Sequence, residues 1–172
     1  QGIKYDIYEG TGGSTAIEDL NLIDTSGDNT INATNNIETE KYYYSFTVNN
    51  SDLETGDGDD SITIKNYKGY YSIGLKDSKL KTGGGKDTIT INMLEDDFHY
   101  GSFGLEDSEI ETGSGDDTVS LTLTSSRDDA FTSYAVKNSS IKLGAGNDEL
   151  NIDQKNSAGN LEIAISGSVS TS

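Results

Sequence analysis

Short runs of alternating apolar and polar residues recur along the chain. In one run Ile62 and Ile64 alternate with Ser61, Thr63 and Lys65, and a few residues before it Leu53 stands alone between Asp52 and Glu54. Residues two apart point to one side of an extended strand, so each run predicts a short strand with one buried face. The pair of runs returns as Leu80 with Ile89 and Ile91, as Ile110 with Val119 and Leu121, and as Ile141 with Leu150 and Ile152. Upstream of each lies another alternating run: Tyr44-Phe46-Val48, Tyr71-Ile73-Leu75, Phe103-Leu105 and Tyr134-Val136. The pattern therefore predicts three strands per repeat.

The polar residues between the runs repeat as well. Asn50-Ser51, Asp77-Ser78, Asp107-Ser108 and Asn138-Ser139 separate the first strand from the second. Such side chains bond nearby backbone and predict a bend. Between second and third strands stands Gly-x-Gly-x-Asp, as Gly56, Gly58 and Asp60; Gly83, Gly85 and Asp87; Gly113, Gly115 and Asp117; and Gly144, Gly146 and Asp148. A worn first copy keeps Gly27 and Ile31 but has Thr25 and Asn29 in place of a glycine and the aspartate. The second glycines, Gly27, Gly58, Gly85, Gly115 and Gly146, are spaced by 31, 27, 30 and 31 residues. A period of this size predicts a solenoid.

The expected fold is all-β: a right-handed parallel β-helix of about five coils with short strands and Gly-x-Gly-x-Asp turns, forming one domain over residues 1–172. Residues 1–18 are expected as an N-terminal cap, with Tyr5, Ile7 and Tyr8 on a capping strand. Residues 19–153 carry the coils, and residues 154–172 form a C-terminal cap and tail. Within that tail Leu161, Ile163 and Ile165 predict a last strand, and Gly167 to Ser172 a frayed polar end. The variable corners fall between the third strand and the next coil, at 65–70, 92–100 and 122–133.

Composition narrows the function. Thirty acidic residues against twelve Lys and Arg give a net charge of −18. That excludes a nucleic-acid partner, which needs a basic surface. No apolar run is long enough for a transmembrane segment. Absence of cysteine excludes disulfides and cysteine-based sites. No signal-peptide pattern precedes the coils, as expected of a mature product or an excised fragment.

Stacked coils place equivalent residues about 4.8 Å apart. Asp60, Asp87, Asp117 and Asp148 then form a column of carboxylates. Two charges about 5 Å apart repel by roughly 3 kcal/mol at an effective dielectric near 20. Asp59 and Asp116 add charge beside the column, and Lys86 removes some. A hard cation that takes six to eight oxygens, such as Ca2+, suits carboxylates and turn carbonyls together. The competing reading is that each Asp accepts backbone N–H groups and merely shapes its turn.

Gly-x-Gly-x-Asp followed by an apolar residue resembles the hemolysin-type (RTX) calcium-binding repeat, Gly-Gly-x-Gly-x-Asp-x-U-x. The likeness covers 55–63, 82–90, 112–120 and 143–151. It implies calcium held between coils by the turn carbonyls and the Asp: Gly56, Gly58 and Asp60; Gly83, Gly85 and Asp87; Gly113, Gly115 and Asp117; Gly144, Gly146 and Asp148. The pattern departs where the first family glycine is Thr55, Thr82, Thr112 or Leu143, and where one nonapeptide serves a coil of about 30 residues. A second row of calcium sites is therefore not implied.

Three further constellations carry candidate chemistry. Outward files of Thr30, Ser61, Thr88 and Thr118, and of Asn32, Thr63, Thr90 and Ser120, resemble the flat Thr array of ice-binding solenoids, although Glu149 and Asn151 break them. Tyr42, Tyr43, Tyr67, Tyr70, Phe98, Tyr100 and Phe131 gather near the variable corner and are expected to pack over the core edge. Glu95, Asp96, Asp97, His99, Arg127, Asp128 and Asp129 would be the acid/base set of a carbohydrate-active enzyme, but a solvated acidic loop explains them more simply. The expected function is a non-enzymatic, calcium-binding structural or adhesive module of a secreted or cell-surface bacterial protein, in a sheath or filament. Self-association by end-to-end stacking, or contact with polysaccharide, would supply its partners.

Overall fold

The computed structural model describes residues 4–8, 15–23, 26–36, 44–67, 71–94, 101–124, 134–155 and 165–171. Among them are sixteen strands and no helix. In chain order they are β1 (Lys4–Tyr8), β2 (Thr15–Glu18), β3 (Asn21–Ile23), β4 (Thr30–Asn35), β5 (Tyr44–Asn49) and β6 (Asp52–Glu54). Next come β7 (Ser61–Asn66), β8 (Tyr71–Lys76), β9 (Lys79–Lys81), β10 (Thr88–Leu94) and β11 (Gly101–Glu106). The last are β12 (Glu109–Glu111), β13 (Thr118–Thr124), β14 (Tyr134–Gly144), β15 (Glu149–Lys155) and β16 (Ile165–Thr171).

Every pairing between these strands is parallel, and each joins equivalent strands of successive coils. One sheet runs β1-β4-β7-β10-β13-β15. The other two strand columns, led by β2 and β3, merge where β14 runs through both without a break. The result is the expected all-β parallel solenoid. It has about four turns, because five copies of the Gly-x-Gly turn bound four complete turns, from Ser26 through Asp57, Gly84 and Ser114 to Ala145.

The core is a ladder of aliphatic side chains, one rung per coil. Leu53, Leu80, Ile110 and Ile141 are fully buried, as are Ile62, Ile64, Ile89, Ile91, Val119 and Leu121. Burying one such side chain is worth about 1.5–3 kcal/mol. The bend between first and second strands forms as predicted: Asn50, Asp77, Asp107 and Asn138 adopt left-handed φ of 49°, 47°, 50° and 47°. Each following serine is buried at the bend. Its hydroxyl donates back to the carbonyl two residues earlier and accepts the N–H of the equivalent residue one coil before, Leu20 for Ser51 and a serine for the others, as Ser78 accepts from Ser51 at 3.0 Å.

The first strand departs from its expected sidedness. Val48, Leu75, Leu105 and Val136 join the main core cluster, whereas Ile73 and Phe103 are buried outside it and Phe46 and Tyr134 are only half-buried. Pairing is interrupted at Thr47, Gly74, Gly104 and Ala135. There the inward positions hold small residues: a Cβ on Gly74 would lie 2.9 Å from Ile91 Cγ2, and one on Gly104 2.9 Å from Leu121 Cδ2. The aromatic rings stack instead among themselves, Tyr44 on Tyr71 at 4.9 Å and Phe103 on Tyr134 at 6.1 Å.

The strand expected over Tyr5, Ile7 and Tyr8 is β1, at the edge of its sheet on β4. The other boundaries differ from expectation: β2 already belongs to the first coil by pairing with β5, upstream of residue 19. Residues 167–171, expected as a frayed tail, belong to β16, which pairs with β14 through both of its columns. A parallel neighbour satisfies backbone groups whatever the side chains, so a Ser-rich segment can serve as a strand.

Charges on the outer face of the second column alternate from coil to coil. Glu54, Lys81, Glu111 and Lys142 align in register, as do Asp52, Lys79 and Glu109. Lys79 and Lys142 reach Glu109 at 3.4 and 3.3 Å. This face is near neutrality, whereas the Gly-x-Gly-x-Asp edge gathers Asp57, Asp59, Asp60, Asp87, Asp116, Asp117 and Asp148.

Candidate metal centre

The turn is built by glycine. Gly56, Gly83, Gly113 and Gly144 have φ of 86°, 92°, 93° and 83°, and Gly58, Gly85, Gly115 and Gly146 have 141°, 131°, 133° and 153°. These are conformations that side-chain-bearing residues rarely take. The stacking adds a second requirement. A Cβ on Gly85, Gly115 or Gly146 would collide with the carbonyl oxygen of Gly58, Gly85 or Gly115 in the coil before.

Successive turns are laced by backbone bonds. Gly58, Gly85 and Gly115 N–H donate to the carbonyls of Gly84, Ser114 and Ala145 at 2.7–2.9 Å. Gly84, Ser114 and Ala145 N–H donate back to the carbonyls of Gly56, Gly83 and Gly113 at 2.8–3.3 Å. The first-glycine carbonyls are thus engaged in the ladder, and the second-glycine carbonyls are not spent on it.

The structure brings the expected aspartates into one column inside this edge. Asp60, Asp87 and Asp117 are 2%, 0% and 1% exposed. Their two oxygens have different fates. Each Oδ1 accepts the backbone N–H of the equivalent residue one coil earlier: Asn29 to Asp60 at 2.7 Å, Asp60 to Asp87 at 2.9 Å, Asp87 to Asp117 at 2.9 Å and Asp117 to Asp148 at 3.1 Å. This is the turn-shaping role. Each Oδ2, on Asp60, Asp87, Asp117 and Asp148, is buried without a hydrogen-bond partner. Turn chemistry accounts for half of every carboxylate and leaves the other half unexplained.

The threonines do not fill the gap. Thr82 and Thr112 hydroxyls lie close enough to ease the carboxylates of Asp87 and Asp117. A hydroxyl has one proton, however, and each also lies on a carbonyl of the next coil: Thr82 Oγ1 to Thr112 O at 3.3 Å and Thr112 Oγ1 to Leu143 O at 2.7 Å. Thr55 Oγ1 is itself buried without a partner.

Electrostatics register the strain. Burial pushes Asp87 up to about 6, the Thr82 hydroxyl and the Asp60 N–H oppose the rise, and the charges of Asp117 and Asp60 add to it. Asp117 is also raised, by burial first, with Asp148 and Asp116 contributing. The opposite corner shows what satisfied acids look like. Asp107 accepts from Lys76 and from Asn138 Nδ2, and its carboxyl is held below the usual range.

Among the described residues no three His, Cys, Asp or Glu side chains converge where a metal ion could sit. A cation in this column would have to be held by carboxylate pairs together with backbone carbonyls, a donor set that suits calcium. No family model, no curated protein and no solved structure matches the chain. Outside the column, the Ser/Thr files do align, Thr30-Ser61-Thr88-Thr118 ending at Glu149 and Asn32-Thr63-Thr90-Ser120 ending at Asn151. Of the corner aromatics only Tyr67 is among the described residues. Glu95, Asp96, Asp97, His99, Arg127, Asp128 and Asp129 all lie outside them.

Sequence reasoning found Asp60, Asp87, Asp117 and Asp148 but treated Asn29 only as wear. Asn29 is 1% exposed, and its amide Nδ2 reaches Gly27 O at 2.8 Å, Thr55 O at 2.9 Å and Asp60 Oδ1 at 3.0 Å. The signal was available: asparagine is the one residue of aspartate's shape that carries donors.

Proposed function

We propose that this chain is a calcium-stapled β-solenoid, a structural or adhesive module of a secreted or cell-surface bacterial protein. The observation that carries the reading is the file of four buried, unpartnered Oδ2 atoms on Asp60, Asp87, Asp117 and Asp148. A buried carboxylate oxygen without a donor or cation costs several kcal/mol, and the coils repeat that cost. Calcium between coils offsets it, with the aspartates and the turn carbonyls of Gly58, Gly85 and Gly115 as donors. The net charge of −18 favours cation uptake. Because the ion binds the folded coils and not the unfolded chain, stability rises with free calcium as RT ln(1 + [Ca]/Kd). Such a chain stays loose where calcium is scarce and sets outside the cell, where a rod-like sheath or filament component is needed.

The test is thermal melting followed by circular dichroism in EDTA, then with calcium or magnesium added. The melting temperature is expected to climb steeply with calcium and hardly with magnesium, which keeps its waters and demands a tighter octahedron. A melting curve that ignores EDTA and calcium alike would leave the column as turn chemistry alone.

A further inference from the structure

We infer that Asn29 is a built-in substitute for a cation: its side-chain amide closes the first inter-coil position, and the equivalent positions beside Asp60, Asp87 and Asp117 are the ones that take an ion. This rests on the calcium reading above and adds to it which positions are filled and what sets the number.

Register makes the comparison direct. Thr30 pairs with Ser61, so Asn29 stands one coil before Asp60. Asn29 N–H donates to Asp60 Oδ1 as Asp60 N–H donates to Asp87 Oδ1. Asn29 is therefore the column's first member, with an amide where the others have a carboxylate. Its NH2 group brings two protons to three oxygens: Gly27 O, Thr55 O and Asp60 Oδ1. Nothing further is needed there.

One coil on, Asp60 presents an oxygen where Asn29 presents the NH2. The counterparts of the three acceptors are Gly58 O, Thr82 O and Asp87 Oδ1; Asp87 Oδ1 keeps the Asp60 backbone N–H, but no side-chain NH2 serves the three. Asp60 Oδ2 is accordingly unpartnered. The same substitution applies at Asp87, facing Gly85 O, Thr112 O and Asp117 Oδ1, and at Asp117, facing Gly115 O, Leu143 O and Asp148 Oδ1. A position lined by two carboxylates and carbonyls, where a single threonine hydroxyl is the side-chain donor at hand and no amide is present, suits a hard divalent cation. The choice between Asn and Asp at this single point of the repeat sets whether a coil junction is closed by an amide or by an ion.

The experiment measures calcium stoichiometry by isothermal titration, and melting temperature in EDTA, for the full chain and for Asn29→Asp and Asp60→Asn. Asn29→Asp is expected to bind one calcium more per chain and to melt lower in EDTA. Asp60→Asn is expected to bind one fewer and to melt higher in EDTA, since its new amide finds the acceptors that Asn29 finds. If the parent chain binds calcium but neither variant changes the count, the amide-for-ion assignment is overturned while the calcium reading stands. If the parent binds none, the calcium reading falls. The EDTA melts then still judge the amide: an Asp60→Asn chain no more stable than its parent refutes it. Should Asn29→Asp fail to fold in EDTA, the count and melt of Asp60→Asn decide.

Discussion

Replacing Asp87 by Asn should change the sign of its effect with calcium. The Asp87 side chain is 0% exposed with one orphan oxygen, and burial raises its carboxyl from 3.8 to about 6. At neutral pH a displacement of that size means the ionised form is disfavoured in the fold by on the order of 3 kcal/mol, at 1.36 kcal/mol per unit. Asn removes this charge and the repulsion from Asp60 and Asp117 on either side. It also supplies an NH2 to a place where, in the first coil, Asn29 makes three contacts. Each neutral hydrogen bond gained is worth about 0.5–1.5 kcal/mol. The variant should therefore be more stable than the parent in EDTA by about 2–4 kcal/mol, read from urea unfolding midpoints at constant slope. In saturating calcium the order should invert, because Asp87 donates to the ions on both of its sides. An Asp87→Asn chain that is less stable than the parent in EDTA would show that Oδ2 has a partner. One that stays more stable in saturating calcium would show that no ion uses the carboxylate. Either result refutes the reasoning.

Two further predictions follow from the same edge. In EDTA and at high salt, stability should rise as pH falls from about 6 towards 3.8: the unfolded Asp87 loses its proton near 3.8 and the folded one near 6, so the fold holds more protons in between. Asp117, also raised, acts in the same direction. The lowered carboxyls of Asp107 and Glu109 act in the opposite one, but both are solvent-accessible partners of lysines and are screened by salt; stability that falls throughout this pH window would contradict the prediction. Gly115→Ala should cost at least about 3 kcal/mol in urea unfolding, since φ of 133° strains any Cβ and the Gly85 carbonyl occupies its place. A loss below about 1 kcal/mol would mean that the turns are not stacked as described.

The fold was legible because it repeats. The apolar positions Leu53, Leu80, Ile110 and Ile141 were readable as one inward file, and all four are fully buried. The bend residues Asn50, Asp77, Asp107 and Asn138 were readable from their side-chain chemistry, and all take left-handed backbone. The first strand was misread because a period of two assumes that the apolar residue faces in. At Gly74 and Gly104 the inward residue is the one without a side chain, since the next coil's carbonyl and the opposite sheet both come too close for more. Hydrophobic patterning cannot register a contact made by an absent group. β16 was missed for a related reason: Gly167-Ser168-Val169-Ser170-Thr171 carries little apolar signal, and its strand character comes from the neighbour that takes its backbone bonds.

The column of aspartates was legible as a column, but its chemistry was not. Repulsion between like charges is visible from spacing alone, and it argues equally for an ion, for protonation, or for backbone donors that consume the charge. Only the structure divides each carboxylate into an Oδ1 that holds the previous coil's N–H and an Oδ2 that holds nothing. It is the same division that gives Asn29 its meaning. A repeat copy that departs from its consensus reads as decay when only spacing is compared. When the donors are counted, the amide of Asn29 supplies at the first junction what the later ones lack, and the first copy becomes the internal reference for the others. The four junctions are a comparison already present in the chain: at three the column's side chain ends in an Oδ2 without a hydrogen-bond partner, and at one it ends in an amide that has its acceptors.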